Sequence, residues 1–210
     1  MKIIIQAVGI FLVSLFYFGC SLQSSVPPTS KYLLSVDLSE KNVADSCFGD
    51  KVVRIGEIES SDIMAGRAIV YRTDASQSYT YQRARWMESV NKQLSRLMMN
   101  SLTNSRIFKD VIPFRSLAKN DLILETGIYD FSQTIHDDGT SNVHLAVKVR
   151  LVEQYTRKIV TTKFFEYSKS GLEGNIDGAL KGYDILVDKF LEEVNKWLEK
   201  SCSTTAAGKK

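Results

Sequence analysis

Val143, Leu145, Val147, Val149 and Leu151 alternate with His144, Ala146, Lys148 and Arg150, the period-two pattern of a strand with one buried face and one mostly polar face. Asp137-Asp138-Gly139-Thr140-Ser141 stands just before this run, and glycine supplies the positive φ that a tight reversal needs. The Ile-, Leu-, Tyr- and Phe-rich residues 122–136 are therefore the preceding arm of a hairpin. A second reversal near Thr156-Arg157-Lys158 leads into residues 159–167, which completes an antiparallel meander of three strands. Earlier in the chain, residues 32–36 (YLLSV), 51–58 (KVVRIGEI) and 67–72 (RAIVYR) read as strands, with a turn over 60–64 and a short fourth strand at Tyr79-Thr80-Tyr81.

From about Arg83 the period changes. Trp86, Val90, Leu94, Leu97, Met98 and Leu102 fall on one face at helical spacing, opposite Glu88, Gln93, Arg96 and Asn100, and Asn104-Ser105 ends the segment. Residues 107–114 read as a short extended piece. After a loop containing Gly171 and Gly174, a second helix over about 176–200 carries Tyr183, Leu186, Val187, Phe190, Val194 and Leu198 on one broad apolar face. Such a face must bury against something, and a half-buried sheet is the natural partner. The expected fold class is α+β: an antiparallel or mixed β-sheet with two long amphipathic helices packed on one face.

The N-terminus reads differently. Met1-Lys2 precedes an apolar run over residues 3–18, about 24 Å as a helix and shorter than the ~20 residues a spanning helix needs. Residues 1–19 thus form a secretory leader, and Gly19-Cys20-Ser21 is similar to the lipobox of bacterial lipoproteins, in which the cysteine becomes the acylated N-terminus. Tyr17 and Phe18 stand where a lipobox usually has Leu and a small residue, so an ordinary cleaved leader or an uncleaved anchor stays open. Residues 20–30, rich in Ser and Pro, form the lipidated Cys20 and a tether able to hold a domain roughly 30 Å from a membrane surface. Residues 31–202 are expected to form one domain and residues 203–210 a disordered polar tail.

Composition narrows the function. The 210-residue chain has 27 Lys+Arg against 24 Asp+Glu, a balance too even for a protein built to neutralise a nucleic-acid backbone. Two of its 3 cysteines remain after Cys20, and in an oxidising compartment Cys47 and Cys202 are expected to pair. No CxxC or neighbouring histidine marks either as a reactive thiol. His136 and His144 flank the hairpin turn and read as two exposed histidines rather than metal ligands. Gly171-Leu172-Glu173-Gly174 lacks the Lys-Ser/Thr of a phosphate loop, and no catalytic constellation emerges, so no cofactor and no metal are expected. The one unusual cluster is Tyr71 with Tyr79-Thr80-Tyr81, followed by Arg83-Ala84-Arg85-Trp86. Either Trp86 and one tyrosine are core, or Tyr79, Tyr81, Arg85 and Trp86 contribute to a partner-binding patch, since Tyr, Trp and Arg dominate interface hot spots.

The leader with Gly19-Cys20, the early Tyr32-Leu33-Leu34, the strands at 51–58 and 67–72, the segment from Tyr81 to Trp86 leading to Leu94, Leu97 and Leu102, and the long strand around 122–131 together resemble the ABC-type transport auxiliary lipoprotein family. This family includes the third, lipoprotein component of the paraquat-inducible system. The resemblance implies a non-enzymatic lipoprotein on the periplasmic side of the outer membrane. Its implied partners are an MCE-domain protein, an ABC permease and an ATPase, and its implied cargo is phospholipid or another hydrophobic molecule. Family members can form rings, so the resemblance also admits a homo-oligomer. The alternative class is a stand-alone surface lipoprotein or adhesin.

Overall fold

In the computed structural model, residues 28–37, 46–75 and 77–207 are described, with side chains through Ser201. The leader, Cys20 and most of the tether lie outside them. The alternating segment forms β7 (Thr140–Glu153), flanked by β6 (Leu122–Ile135) and β8 (Ile159–Glu173) in the expected antiparallel meander. Val143, Leu145, Val147, Val149 and Leu151 are all buried. Gly139 sits at φ +82° in the β6–β7 turn, where a β-carbon would meet nothing within 4 Å, so the residue is there for its backbone freedom rather than for space.

The other edge of β6 is divided. Its first half pairs in parallel with β2 (Val52–Glu59), from Val53 opposite Leu122 to Glu59 opposite Gly127. Its last residues pair in parallel with β3 (Ala68–Thr73), Tyr71 lying opposite Gln133. Between them the chain leaves the sheet through α1 (Asp62–Ala65), a single helical turn where the sequence suggested a plain turn. Beyond β2 lies β5 (Asp110–Ile112). Beyond β3 lie β4 (Ser78–Trp86) and then β1 (Ser30–Tyr32), giving a mixed sheet of eight strands.

Two helices, α2 (Val90–Ser105) and α3 (Ile176–Ala207), pack on one face of this sheet as expected. Their shared core contains Leu94, Met98, Phe165, Tyr183, Phe190 and Leu198. Gly182 sets the approach of α3, because a β-carbon there would come within 2.6 Å of both Leu172 and Val143. The last helix runs through Ala207, past its expected end and into the segment expected to be disordered.

Several boundaries differ from the sequence reading. The helix expected from Arg83 begins at Val90, and Arg83 to Trp86 belong to β4. Trp86, Val90 and Leu94 keep helical spacing, but the period also fits a strand end that drives alternate side chains Ala84 and Trp86 into the core. Parallel pairing with β1 and an N–H donated by Trp86 to the Arg67 carbonyl at 2.8 Å satisfy that backbone. The first strand ends at Tyr32. β8 continues through Gly171, at φ +72°, to Glu173, where a loop was expected.

Residues 33–36 are held by side chains rather than by a ladder. Buried Gln93 of α2 accepts the Leu34 N–H at 2.8 Å through Oε1 and donates Nε2 to the Glu88 carbonyl at 2.8 Å. Asp184 of α3 accepts the Ser35 N–H at 2.8 Å, and burial raises its carboxyl pKa. Residues 33–36 are thus bolted to both helices. Replacing Gln93 with Ala leaves a buried donor and acceptor unmatched, and should lower stability by about 1–3 kcal/mol in urea unfolding, whereas Lys92→Ala on the same helix should change it by less than about 0.5 kcal/mol.

Candidate partner-binding surface

β3 and β4 form an antiparallel pair in which Tyr71 faces Tyr79 directly. Because Tyr71 also lies opposite Gln133, both tyrosines share the sheet face that carries Gln133. The pairing of β3 with β4 is irregular: Ala68 faces Arg85 and Val70 faces Thr80, so β4 bulges outward between them. That bulge brings Tyr81 to the same cluster. The Tyr71 ring stacks on Tyr79 at 5.4 Å and meets Tyr81 at 4.9 Å.

Beneath the rings the polar groups are matched. The Tyr81 hydroxyl donates to Gln133 Oε1 at 2.6 Å. Gln133, fully buried, uses Nε2 on Ser141 Oγ at 2.8 Å and on the carbonyls of Asn175 and Glu173 at 3.1 and 3.2 Å, at the start of α3. Burial, then the neighbouring Tyr71, pushes the Tyr81 phenol up to about 12. Tyr79 is 43% exposed and its hydroxyl donates to the side-chain oxygen of Gln77. The rings, with Ile63 of α1 and Gln82, line an open cavity of about 500 Å³. One ring held by the Gln133 network, with two others packed against it, presents amphipathic aromatic area of the kind that binding surfaces use.

The four residues expected to form the patch separate. Tyr79 and Tyr81 lie together in it, and Arg85 is exposed on the same strand, opposite Lys31 and Ala68. Trp86 is 1% exposed and packs against Phe131 and Tyr183 at 6.1 and 5.8 Å, so it is core and presents nothing to a partner. Tyr71, marked by its place near the other tyrosines, is the ring both others lean on. Gln133 carried no signal: nothing in its strand distinguishes a glutamine bridging four groups from one on the solvent side.

The histidines do not converge. His136 Nδ1 lies 2.7 Å from Asp74 Oδ1, tying the β6–β7 hairpin to the β3–β4 turn, while His144 sits opposite Ser132 and Ser168 within the sheet. Among the described residues no group of His, Cys, Asp and Glu could hold a metal ion. A second concavity, about 460 Å³ on the face away from the helices, is lined by Ile123, Tyr129, Lys148 and Arg150, with Arg150 paired to Glu125 at 3.0 Å. Glu57, Glu59, Phe114 and Thr126 belong to the same lining. Among the described residues no helix is long and apolar enough to cross a membrane.

The hydrogen bond that protonated His136 donates to the Asp74 carboxylate raises the His136 pKa against an opposing desolvation effect. A raised folded value means that the ion pair contributes fully below the unfolded value of about 6.5 and is lost as pH rises through the folded value. An NMR titration should therefore find His136 titrating above about 6.5, and Asp74→Asn should bring it back down. A wild-type value at or below the ordinary one would mean that the two turns are not tied in solution.

The fold and the sequence both connect the chain to known proteins. Two solved structures share the fold at low sequence identity. Protein XCC0632 from Xanthomonas campestris superposes with a TM-score of 0.74 at 11% identity, over 85% of this chain and 99% of that one. An uncharacterised protein superposes with a TM-score of 0.62 at 15% identity, over 81% and 99%. Both relationships speak to fold. No functionally curated protein matches the sequence. The model of one family matches residues 32–195, from the end of β1 into α3, and so takes in the meander, α2, the first part of α3 and the tyrosine surface. The chain belongs to the ABC-type transport auxiliary lipoprotein component family.

Proposed function

We propose that this chain is a non-catalytic, lipid-anchored subunit of an ABC-type transporter that works in the periplasm. Cys20 carries the acyl anchor at the outer membrane. An MCE-domain protein forms the conduit, and a permease and an ATPase supply the energy for moving phospholipid or another hydrophobic molecule between the membranes. The chain has no phosphate-binding loop, so nucleotide chemistry belongs to another subunit. The observation that carries the reading is the tyrosine surface on a member of this family: Tyr79 exposed, Tyr71 stacked on it, and Tyr81 fixed from below by Gln133. This surface is where the chain docks on the conduit.

Affinity purification of the native protein from detergent-solubilised membranes, followed by mass spectrometry, tests this directly. The permease, the ATPase and the MCE protein should be recovered together with an acylated Cys20 peptide. Tyr79→Ala removes a ring at the exposed rim and its stacking on Tyr71, so it should lower stability by no more than about 1.5 kcal/mol while reducing partner recovery by about tenfold or more, the usual size of a hot-spot loss. A chain that returns alone, or a Tyr79→Ala variant that retains every partner, contradicts the proposal.

We further propose a disulfide between Cys47 and Cys202, a link that would close a loop of about 156 residues and stabilise the fold by up to roughly 5 kcal/mol. Cys202→Ser should leave Cys47 open to maleimide under non-reducing conditions. A Cys47 that stays blocked in that variant assigns the bond elsewhere.

A further inference from the structure

The sheet carries its long helices on one face, and the other face gathers a distinct set of side chains where β2 and β7 flank the first half of β6. Register puts Glu59, Gly127 and Lys148 in one row across these three strands, and Phe164 continues the row on β8. Glu125 and Arg150 face each other two residues earlier along β6. Glu57 lies beside Glu125, between the paired positions Ile55 with Leu124 and Ile58 with Thr126. Phe114, Ile123 and Tyr129 line the same concavity as these charges. The Tyr129 ring meets Phe164 edge-on at 5.6 Å, and the two are 60% and 50% exposed. Single exposed apolar residues are ordinary, but a contiguous aromatic patch on an uncovered sheet face marks a contact surface.

The charges of this patch are arranged by strand. Carboxylates stand on β2 at Glu57 and Glu59, and cations stand on β7 at Lys148 and Arg150. Glu125 of β6 is paired with Arg150 at 3.0 Å, but Glu57, Glu59 and Lys148 take part in no ion pair among the described residues. Arg150 spends Nη1 on Glu125 and its Nε has no partner among the described residues, so the guanidinium has donors to spare. β2 and β7 lie on opposite sides of β6, each about 4.8 Å away, and Gly127 places no side chain between their charges.

A patch with acid on one flank and base at the same distance on the other is complementary to itself. A two-fold axis along β6, between two facing sheets, lays β2 of one copy over β7 of the other. Glu59 then meets the second copy's Lys148, and Glu57 meets the second copy's Arg150. Facing sheets stack about 10 Å apart, a gap that a glutamate and a lysine or arginine reaching from opposite sides can span. Ile123 and Tyr129, on the strand that holds the axis, meet their own counterparts and leave solvent. An axis across the strands would set β2 on β2 and carboxylate on carboxylate, so the charges select the first arrangement.

We propose that this uncovered face of the sheet binds a second copy of the chain in a two-fold dimer, with Glu57 and Glu59 on Lys148 and Arg150 in both directions. The contact is separate from the tyrosine surface, whose rings share the opposite face with Gln133 and the start of α3. It does not rest on the transporter reading. A dimer of this kind leaves both tyrosine surfaces open and presents them as a pair, which raises avidity for any partner able to engage two at once.

The test mixes full chains labelled with 14N and 15N in detergent and treats them with a carbodiimide, which joins a carboxylate to an amine in direct contact. Mass spectrometry should find Glu59 linked to Lys148 in peptides that combine the two isotopes. In sedimentation equilibrium, Glu59→Lys and Lys148→Glu should each weaken dimerisation by about tenfold or more, because like charges then meet at two symmetric places. The double variant, with the signs exchanged, should return to within about threefold of the wild type. Melting temperatures check that the exposed substitutions leave the fold intact. Links confined to one isotope, a chain that stays monomeric at tens of micromolar, or a double variant no better than the single ones each overturns the proposal. Carbodiimide links from Glu59 to another membrane protein, with none to Lys148, also overturn it and assign the face to that protein.

Discussion

Every other part of this fold depends on how β6 satisfies its backbone along both edges. A central strand cannot leave N–H and C=O groups unpaired in a core, and β6 meets that requirement with one continuous neighbour, β7, and two successive ones, β2 and β3. The division has consequences at both ends. Where β2 gives way to β3 the chain detours through α1, and on the other edge β6 skips Tyr129 out of register with β7. At the far end β3 can turn back into β4 and build the tyrosine surface. At the near end β2 delivers Arg54 to the loop that precedes β6.

The N-terminal end of the domain is held in a different way. β1 is only three residues long, too short to hold by its ladder alone. Its hold comes from the two residues beyond Leu33, with Leu34 bonded to Gln93 and Ser35 to Asp184, each on a different helix. Trp86, opposite Tyr32 in β1, then carries the connection into the stack formed by Phe131 and Tyr183, whose rings lie 4.2 Å apart. The tyrosine surface is a short step away, because Tyr183 also reaches the Val70 carbonyl next to Tyr71.

Local patterns were legible, and long-range ones were not. The meander and α3 could be read because alternation and helical spacing each persist over many residues, and the turn at Gly139 has its own chemistry. Trp86 could not be placed, because a strand followed by a helix can keep the spacing 86, 90, 94 across the bend between them. Parallel pairings of β2 and β3 with one strand leave no local mark, since their register is set by partners more than fifty residues away. Tyr79 and Tyr81 stood out by residue type. What makes them a surface, the β4 bulge and the buried Gln133, became visible only when the strands were in place. Arg54 is similar: in sequence it is one polar position in an alternating strand, yet in space it organises a loop sixty residues later.

Site-specific photo-crosslinking from position 79 in living cells tests most directly whether the tyrosine surface is where this family member meets its transporter. A benzophenone amino acid in place of Tyr79 preserves an aromatic ring at the exposed rim of the cavity. Irradiation should join the chain to a periplasmic transporter subunit from this position, and not from an equivalent probe at Ile185 on α3. Adducts from Ile185 with none from position 79, or no adduct to any transporter subunit from either, would contradict the docking role of the tyrosines.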